Sequence, residues 1–369
     1  MKITKIDAVP FKTTVPFKTM PPPHKSWQKH VLVIVDTDES ISGVGETIPE
    51  PPAYARETQE SVLHCIRNYI GPGILGKDPF DIEVWQEEIR RTIGDGSPFA
   101  VAAIDLALYD IMGKKTGLPV CKLLGGSYRQ KIPLAWTIGR PLPTAEDSAR
   151  MASDAAQAGF TTVKLKVGED EVEDLDRLKS IRNAVGTEVE IRVDANQRWG
   201  TPERALRIIR KMEKYDLQLV EQPIAWWDTS GMSELARAID TPIEADESAF
   251  SFHDVMRVIR MNAADIINVK VLKGGLFLSK KIAAIAEAAN MPCLVGGFWE
   301  TDIGAAAAAH FSAATRIVSY ACEFGGPLTQ ERIVKEPLKI GNGCVEVPKR
   351  PGLGVELDAA RLRELTRAQ

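Results

Sequence analysis

The chain has 369 residues, 44% of them hydrophobic and 26% charged, a soluble globular composition that excludes disorder, collagen and disulfide miniproteins. At roughly 150 residues per domain, this length suits either two to three domains or one large barrel with an appendage. With 46 basic and 50 acidic side chains and a net charge of −4, the sequence lacks the electrostatic footprint of a nucleic-acid binder. The five cysteines are scattered and form no C-x-x-C pair, which predicts a reducing, cytoplasmic compartment and no zinc site. Met1 to Val9 alternates polar and apolar residues like a strand and lacks the apolar core of a signal peptide. The longest small-apolar stretch, Ala305 to Ala309, is far short of the roughly 20 residues that span a bilayer. The expected partner is therefore a small molecule, neither nucleic acid nor membrane.

In chain order, Ile3–Lys12, His30–Asp36 and Ser42–Thr47 read as strands. Helical periodicity follows near Tyr54, over Pro79–Ile93 and over Ala100–Lys115, which predicts an α+β unit. Between the first two strands, Pro21, Pro22 and Pro23 cannot join a ladder, and a loop of this length is usually functional. From about Ile132, short β-branched runs alternate with amphipathic stretches, the pattern of βα units. The strand candidates are Ile132–Ile138, Thr161–Val167, Glu188–Asp194, Leu217–Glu221, Pro242–Asp246, Asp265–Val271, Pro292–Gly297 and Arg316–Cys322. Eight such units predict a closed (β/α)8-type barrel, with an open doubly wound sheet as the runner-up. Neither G-x-G-x-x-G after a first strand nor a P-loop occurs. After Phe324 the Gly/Pro-punctuated tail is expected to return to the amino-terminal unit.

Ionisable residues interrupt these apolar strands at regular places. Lys164 and Lys166 share one strand face, with Leu165 on the other. The next strands end in Asp194-Ala195-Asn196, Glu221-Gln222-Pro223 and Asp246-Glu247-Ser248, and the sixth carries Asn268-Val269-Lys270. The intervals from Lys164 to Asp194, Glu221, Asp246 and Lys270 are 30, 27, 25 and 24 residues, about one βα unit each. All converge on the carboxyl-terminal mouth, where barrel active sites lie. A single strand-end acid is more often a helix cap. Three together, Asp194, Glu221 and Asp246, supply the hard oxygen ligands that Mg2+ prefers and need a positive partner if buried. The lysines suit acid/base chemistry: Lys166 as the reacting group, Lys164 as the neighbour that lowers its pKa, and Lys270 across the mouth. Snorkelling structural lysines are the alternative. Glu46, Asp105 and Asp110 are expected in turns and surface pairs, and His24 and His30 in exposed positions. His64, His253 and His310 are expected to be satisfied or solvated, and Lys273-Gly274-Gly275 offers backbone N–H groups to an anion.

The order K-x-K, D-x-N, E-Q-P, A-D-E-S, N-x-K resembles the enolase superfamily, specifically the muconate lactonizing (muconate cycloisomerase) subgroup of the mandelate racemase/muconate lactonizing family. Gly43-Val44-Gly45-Glu46, the run from Ala102-Ala103-Ile104-Asp105 to Leu124-Gly125-Gly126, Glu323-Phe324-Gly325-Gly326-Pro327-Leu328 and Pro351-Gly352-Leu353-Gly354 extend the likeness over nearly the whole chain. The resemblance implies an α/β fold, a modified (β/α)7β TIM-like barrel with an α+β capping domain. The expected domains are the cap over 1–125, the barrel over 126–323, and a segment over 324–369 that returns to the cap. It further implies Mg2+, with Mn2+ as the substitute, on Asp194, Glu221 and Asp246, and Lys164, Lys166 and Lys270 as the catalytic set. An enolate formed next to a carboxylate is the shared chemistry. The cap positions Thr19, Met20, His24, Thr47 and Tyr54, together with Asn196, Phe298, Trp299, Glu300 and Glu323, are expected to meet a small-molecule carboxylate, and a homo-oligomer is implied. Gly297-Phe298-Trp299-Glu300 departs from the Met-Leu-Glu often found in muconate cycloisomerases.

A muconate cycloisomerase-like activity is the first expectation. A racemase or epimerase of N-acyl amino acids or dipeptides is the second, with dipeptides demoted because Cys322-Glu323-Phe324 lacks D-x-D. An acid-sugar dehydratase, a Schiff-base aldolase using Lys270 and a non-catalytic binding protein complete the set.

Overall fold

The computed structural model describes residues 1–14, 27–49, 52–139, 143–325 and 331–367. Ile3–Thr14, Trp27–Thr37 and Ser42–Thr47 form an antiparallel three-stranded sheet in chain order. A helix over Pro98–Thr116 lies on this sheet, started by a proline in its first turn and closed by Gly117 at φ 71°. Its residues from Phe99 to Gly113 are almost all buried, as expected of a helix apolar on every side. The contact depends on two glycines: a Cβ at Gly43 or Gly45 would fall 2.1 or 1.9 Å from the carbonyl oxygens of Ala107 and Ala103. G-V-G is thus the surface that lets a helix press onto a strand.

The second unit is a seven-stranded parallel sheet of Trp136–Ile138, Thr162–Lys166, Glu190–Asp194, Leu217–Glu221, Ile243–Ala245, Ile266–Val269 and Cys293–Val295, in that spatial order. Bridges Leu134↔Cys322 and Gly296↔Glu323 join its two edges through the eighth segment and close the ring. Between the bridges Cys293↔Val318 and Gly296↔Glu323, the eighth segment advances two residues more than its partner. That offset leaves isolated bridges where an eighth regular strand was expected. The first candidate strand also divides: Lys131–Pro133 pairs with Cys344–Glu346 in a small separate sheet, and the barrel strand begins only at Trp136. Pro133 has no N–H to continue the ladder.

The carboxyl-terminal segment contacts the first unit, through Thr14 with Glu331, Pro119 with Gly352, and the backbone N–H of Leu353 with Asp110. Three buried acids fasten the first unit, Glu46 and Asp105 to the barrel and Asp110 to the carboxyl-terminal segment. Glu46 accepts from His30 Nδ1, Thr301 N and Oγ1, and Gly304 N at the start of the helix Asp302–Ala313. Asp105 accepts from Leu276 N and Phe277 N. Asp110 accepts from Val44 N, Leu353 N and Lys114. All three are 0% exposed, so the expected turns and surface pairs are replaced by buried clasps, and His30, also 0% exposed, is not a surface residue. His310 is buried as well, accepting from Cys121 N and donating to Leu353 O. Among the described residues no helix is long and apolar enough to cross a membrane.

Candidate active site

Strand register builds the site. Lys166 stands beside Asp194, Asp194 beside Glu221, and Glu221 beside Glu244 across successive parallel pairs. Asp246, two residues beyond Glu244, shares its face. The turns after these strands pass through left-handed residues, Asn196 at φ 41°, Gln197 at 68° and Gln222 at 35°. Gln222 then ties two strand ends together: its Oε1 accepts from the backbone N–H of Asp246 and of Ser248, each at 3.1 Å. Glu221 and Asp246 are thereby locked in mutual position.

Asp194, Glu221 and Asp246 are each 0% exposed, and each holds an ammonium group. Lys166 donates to Asp194. Lys164 lies 2.6 Å from Glu221 and 3.5 Å from Asp194, and also donates to Glu323. Lys270 reaches Asp246 Oδ2 at 2.8 Å, while Lys273 reaches its Oδ1 and backbone oxygen at 2.7 Å. Tyr54 from the first unit donates to Asp246 Oδ1 at 2.6 Å and accepts from Lys270 at 3.0 Å. Burial alone would raise Asp194, yet Lys166 and Lys164 outweigh it and pull the carboxyl to about 2. Asp246 is likewise held below the usual range, because Lys270 and Lys273 overcome burial. Glu221 moves the other way, well above the carboxylate range, through burial and the nearby Asp194. Burial also opposes the charge on Lys164, but Glu221, Glu323 and Asp194 hold it well above the usual lysine value. Among the described residues no three His, Cys, Asp or Glu side chains form a ready-made metal cage. Each acid faces its lysine.

The other expected contacts divide. Phe298 packs edge-on against Tyr54 and Phe99 at centroid distances of 5.2 and 5.4 Å, and the Lys270 ammonium lies 4.7 Å from its ring. Trp299 adopts φ 65° beside Gly325, where a Cβ would meet the indole at 2.9 Å. Asn196 donates through its backbone to Asp194 and through its side chain to Glu247. Glu300 turns away into the interior, 1% exposed, accepting from Phe298 N, and burial raises it to about 7. Thr47 is fully buried. Glu323 is held by Lys164 and Arg192. Thr19, Met20 and His24 lie outside the described residues. The Asp105 carboxylate lies against Gly275, where a Cβ would be 2.4 Å from it, but the N–H groups that it accepts from are those of Leu276 and Phe277, past the Lys273-Gly274-Gly275 turn.

Sequence reasoning missed Arg192, Gln222, Glu244 and the role of Lys273. The first and third had a readable signal, since each lies two residues before a strand-end acid and so on its inward face. Gln222 and Lys273 act across strands, which no local pattern reports.

Two family models match the chain: the mandelate racemase / muconate lactonizing enzyme N-terminal domain over residues 4–125, and the enolase C-terminal domain-like family over 147–361. The chain belongs to the mandelate racemase/muconate lactonizing enzyme family of the enolase superfamily. It is similar to the N-succinyl-L-Arg/Lys racemase of Bacillus cereus, 34% identical over 342 residues that cover 91% of this chain and 90% of that protein. The crystal structure of the same racemase superposes with a TM-score of 0.93 at 31% identity, covering 99% of this chain and 98% of the other. The L-Ala-D/L-Glu epimerase of Bacillus subtilis is 36% identical over 98% of this chain and 99% of its own length. Muconate cycloisomerase 1 of Rhodococcus opacus is 33% identical over 99% and 100%. The protein is thus an enolase-superfamily isomerase, with an α/β TIM-like fold and a capping domain.

Proposed function

We propose that this isomerase removes and returns the proton next to a carboxylate, as a racemase or epimerase of N-acylated amino acids. The observation that carries the proposal is the placement of Lys166 and Lys270, whose ammonium groups rest on Asp194 and Asp246, with Glu221 between those acids in the strand order. They come from the second and sixth strands of a closed ring. A tetrahedral carbon is inverted when one group takes its proton from one side and a second group returns a proton from the other. Similarity to the Bacillus cereus racemase supports the substrate class.

Asp194, Glu221 and Asp246 fit a divalent cation, Mg2+ or Mn2+: they are hard oxygen donors on adjacent strand ends, fully buried, and mutual repulsion contributes to raising Glu221. When bound, that cation supplies the positive charge that offsets the growing negative charge on a substrate carboxylate. Lys164 and Lys273 hold the acids in place, Tyr54 orients Asp246 and Lys270, and the Tyr54–Phe250–Phe298 aromatic group walls the site from water. Both oxygens of Glu323 are engaged by Lys164 and Arg192, which leaves no free eighth-strand acid for the ammonium group of a dipeptide.

A muconate cycloisomerase is the second proposal. It is favoured by this aromatic wall beside four lysines, which suits a flat conjugated dianion, and by similarity to the Rhodococcus enzyme. Incubation in D2O with Mg2+ separates the two. Deuterium at the α-carbon of N-succinyl amino acids supports the racemase, and exchange and opening of muconolactone supports the cycloisomerase. Exchange in neither removes both and directs the search to acid sugars.

A further inference from the structure

Below the lysine-paired acids lies a second charged layer, inside the barrel. Arg192, two residues before Asp194, is 0% exposed. Its Nε donates to Gln218 Oε1 at 2.6 Å, and its Nη1 to Ala321 O at 2.8 Å and Glu323 Oε1 at 3.0 Å. Its Nη2 is buried with no hydrogen-bond partner among the described residues. Glu244, two residues before Asp246, is also 0% exposed, and both of its carboxyl oxygens are buried and without a partner among the described residues. Burial and the nearby Glu323 raise its carboxyl group to about 8, with Lys164 and Arg192 opposing them. A buried carboxyl group with neither oxygen satisfied costs free energy, and a polar molecule that reaches it removes that cost. Arg192 Nη2 needs an acceptor and Glu244 needs a donor. One molecule that both accepts and donates satisfies them together, and water is that molecule.

We infer that an ordered water bridges Glu244 and Arg192 inside the barrel, and that these two residues position Lys164 through Glu323. The chain of contacts runs from the water to Arg192, from Arg192 to Glu323 Oε1, and from Glu323 Oε2 to the Lys164 ammonium. Lys164 has a competing acceptor 3.5 Å away in Asp194, the carboxylate that also holds Lys166. With Glu323 clamped, Lys164 stays on Glu221 and leaves Asp194 to Lys166. Released, it moves onto Asp194 and displaces the reacting lysine. Glu323 therefore acts as a positioning residue, and Glu244 sets its alignment from a distance. The inference rests on the proton-transfer proposal above.

The test pairs a high-resolution crystal structure of the wild type with the variants Glu244→Met and Glu244→Gln. The structure is expected to show a water within hydrogen-bond distance of both Glu244 and Arg192 Nη2. Displacing a reacting group by about 1 Å lowers kcat by about 10²-fold, so Glu244→Met is expected to show that loss with KM changed by less than about threefold. Glu244→Gln, which keeps an acceptor and the shape, is expected to recover kcat to within about tenfold of wild type, as the change in one buried hydrogen bond predicts. If Glu244→Met does not fold, Glu244→Gln carries the comparison, and a Gln variant lacking the water while keeping full kcat overturns the inference. So does a wild-type structure with a metal ion or nothing between the two side chains, or a Met variant that raises KM at unchanged kcat. A wild type that exchanges no α-proton on any substrate removes the proton-transfer proposal instead, and the crystallographic water still decides the structural half.

Discussion

The barrel mouth and the seam between barrel and cap bury carboxylates equally deeply but satisfy them differently. At the seam, Glu46 and Asp105 accept from backbone N–H groups at the first turns of barrel helices. Those donors are fixed by the fold, so the acids are staples. At the mouth, Asp194, Glu221 and Asp246 are met by lysine ammonium groups on four-carbon stems that can move, and Glu247 Oε2 and both Glu244 oxygens have no partner among the described residues. Immobile donors mark structure. Movable donors mark a site that rearranges around a substrate.

Exchanging substitutions between the two regions breaks or sharpens this contrast. The largest effect is expected at the mouth: Lys166→Met or Lys270→Met should lower α-proton exchange by about 10²–10⁴-fold, the usual share of a general acid or base. Their urea midpoints should stay near wild type. At the seam the pattern inverts. Glu46→Ala strands buried donors of Thr301, Gly304 and His30, and should lower unfolding free energy by about 3 kcal/mol or more, while activity per folded molecule is retained.

His310 extends the test to pH. Burial holds it at about 4 against an ordinary 6.5, so it is neutral in the folded protein where it would be protonated in the unfolded chain. The unfolded state then binds the extra proton, and stability that is full above 6.5 is lost as pH falls toward 4, by up to about 3 kcal/mol. Denaturant titrations at pH 7 and 4.5 should show this difference in wild type and a smaller one in His310→Gln. The smallest effect is at the hinge of the two regions, where Tyr54→Phe removes one hydroxyl shared by Asp246 and Lys270 and should reduce kcat by about tenfold.

Much of the mouth was legible because a strand alternates its faces: Lys164 with Lys166 and the inward position of Asp194 follow from period two, and the spacing of about one βα unit aligns successive strand ends. The seam was not. Glu46 and Asp105 sit in segments that read as an ordinary turn and helix, and their partners Thr301 and Leu276 are 255 and 171 residues away. His30 reads as exposed for the same reason, since its burial comes from residues on neighbouring strands, Phe11, Thr13 and Glu46. The eighth strand was overestimated because apolar content says nothing of a bulge. Glu323 was expected against substrate, and Arg192, on the third barrel strand and 131 residues away, is what engages its second oxygen.

The central claim is that Lys166 and Lys270 serve the two sides of one carbon. Proton NMR in D2O with Mg2+, offering each enantiomer of an N-succinyl amino acid to wild type, Lys166→Met and Lys270→Met, tests it most directly. The account predicts exchange of both enantiomers by wild type and loss of exchange for opposite enantiomers in the two variants. Undiminished exchange of both enantiomers by either variant would contradict it.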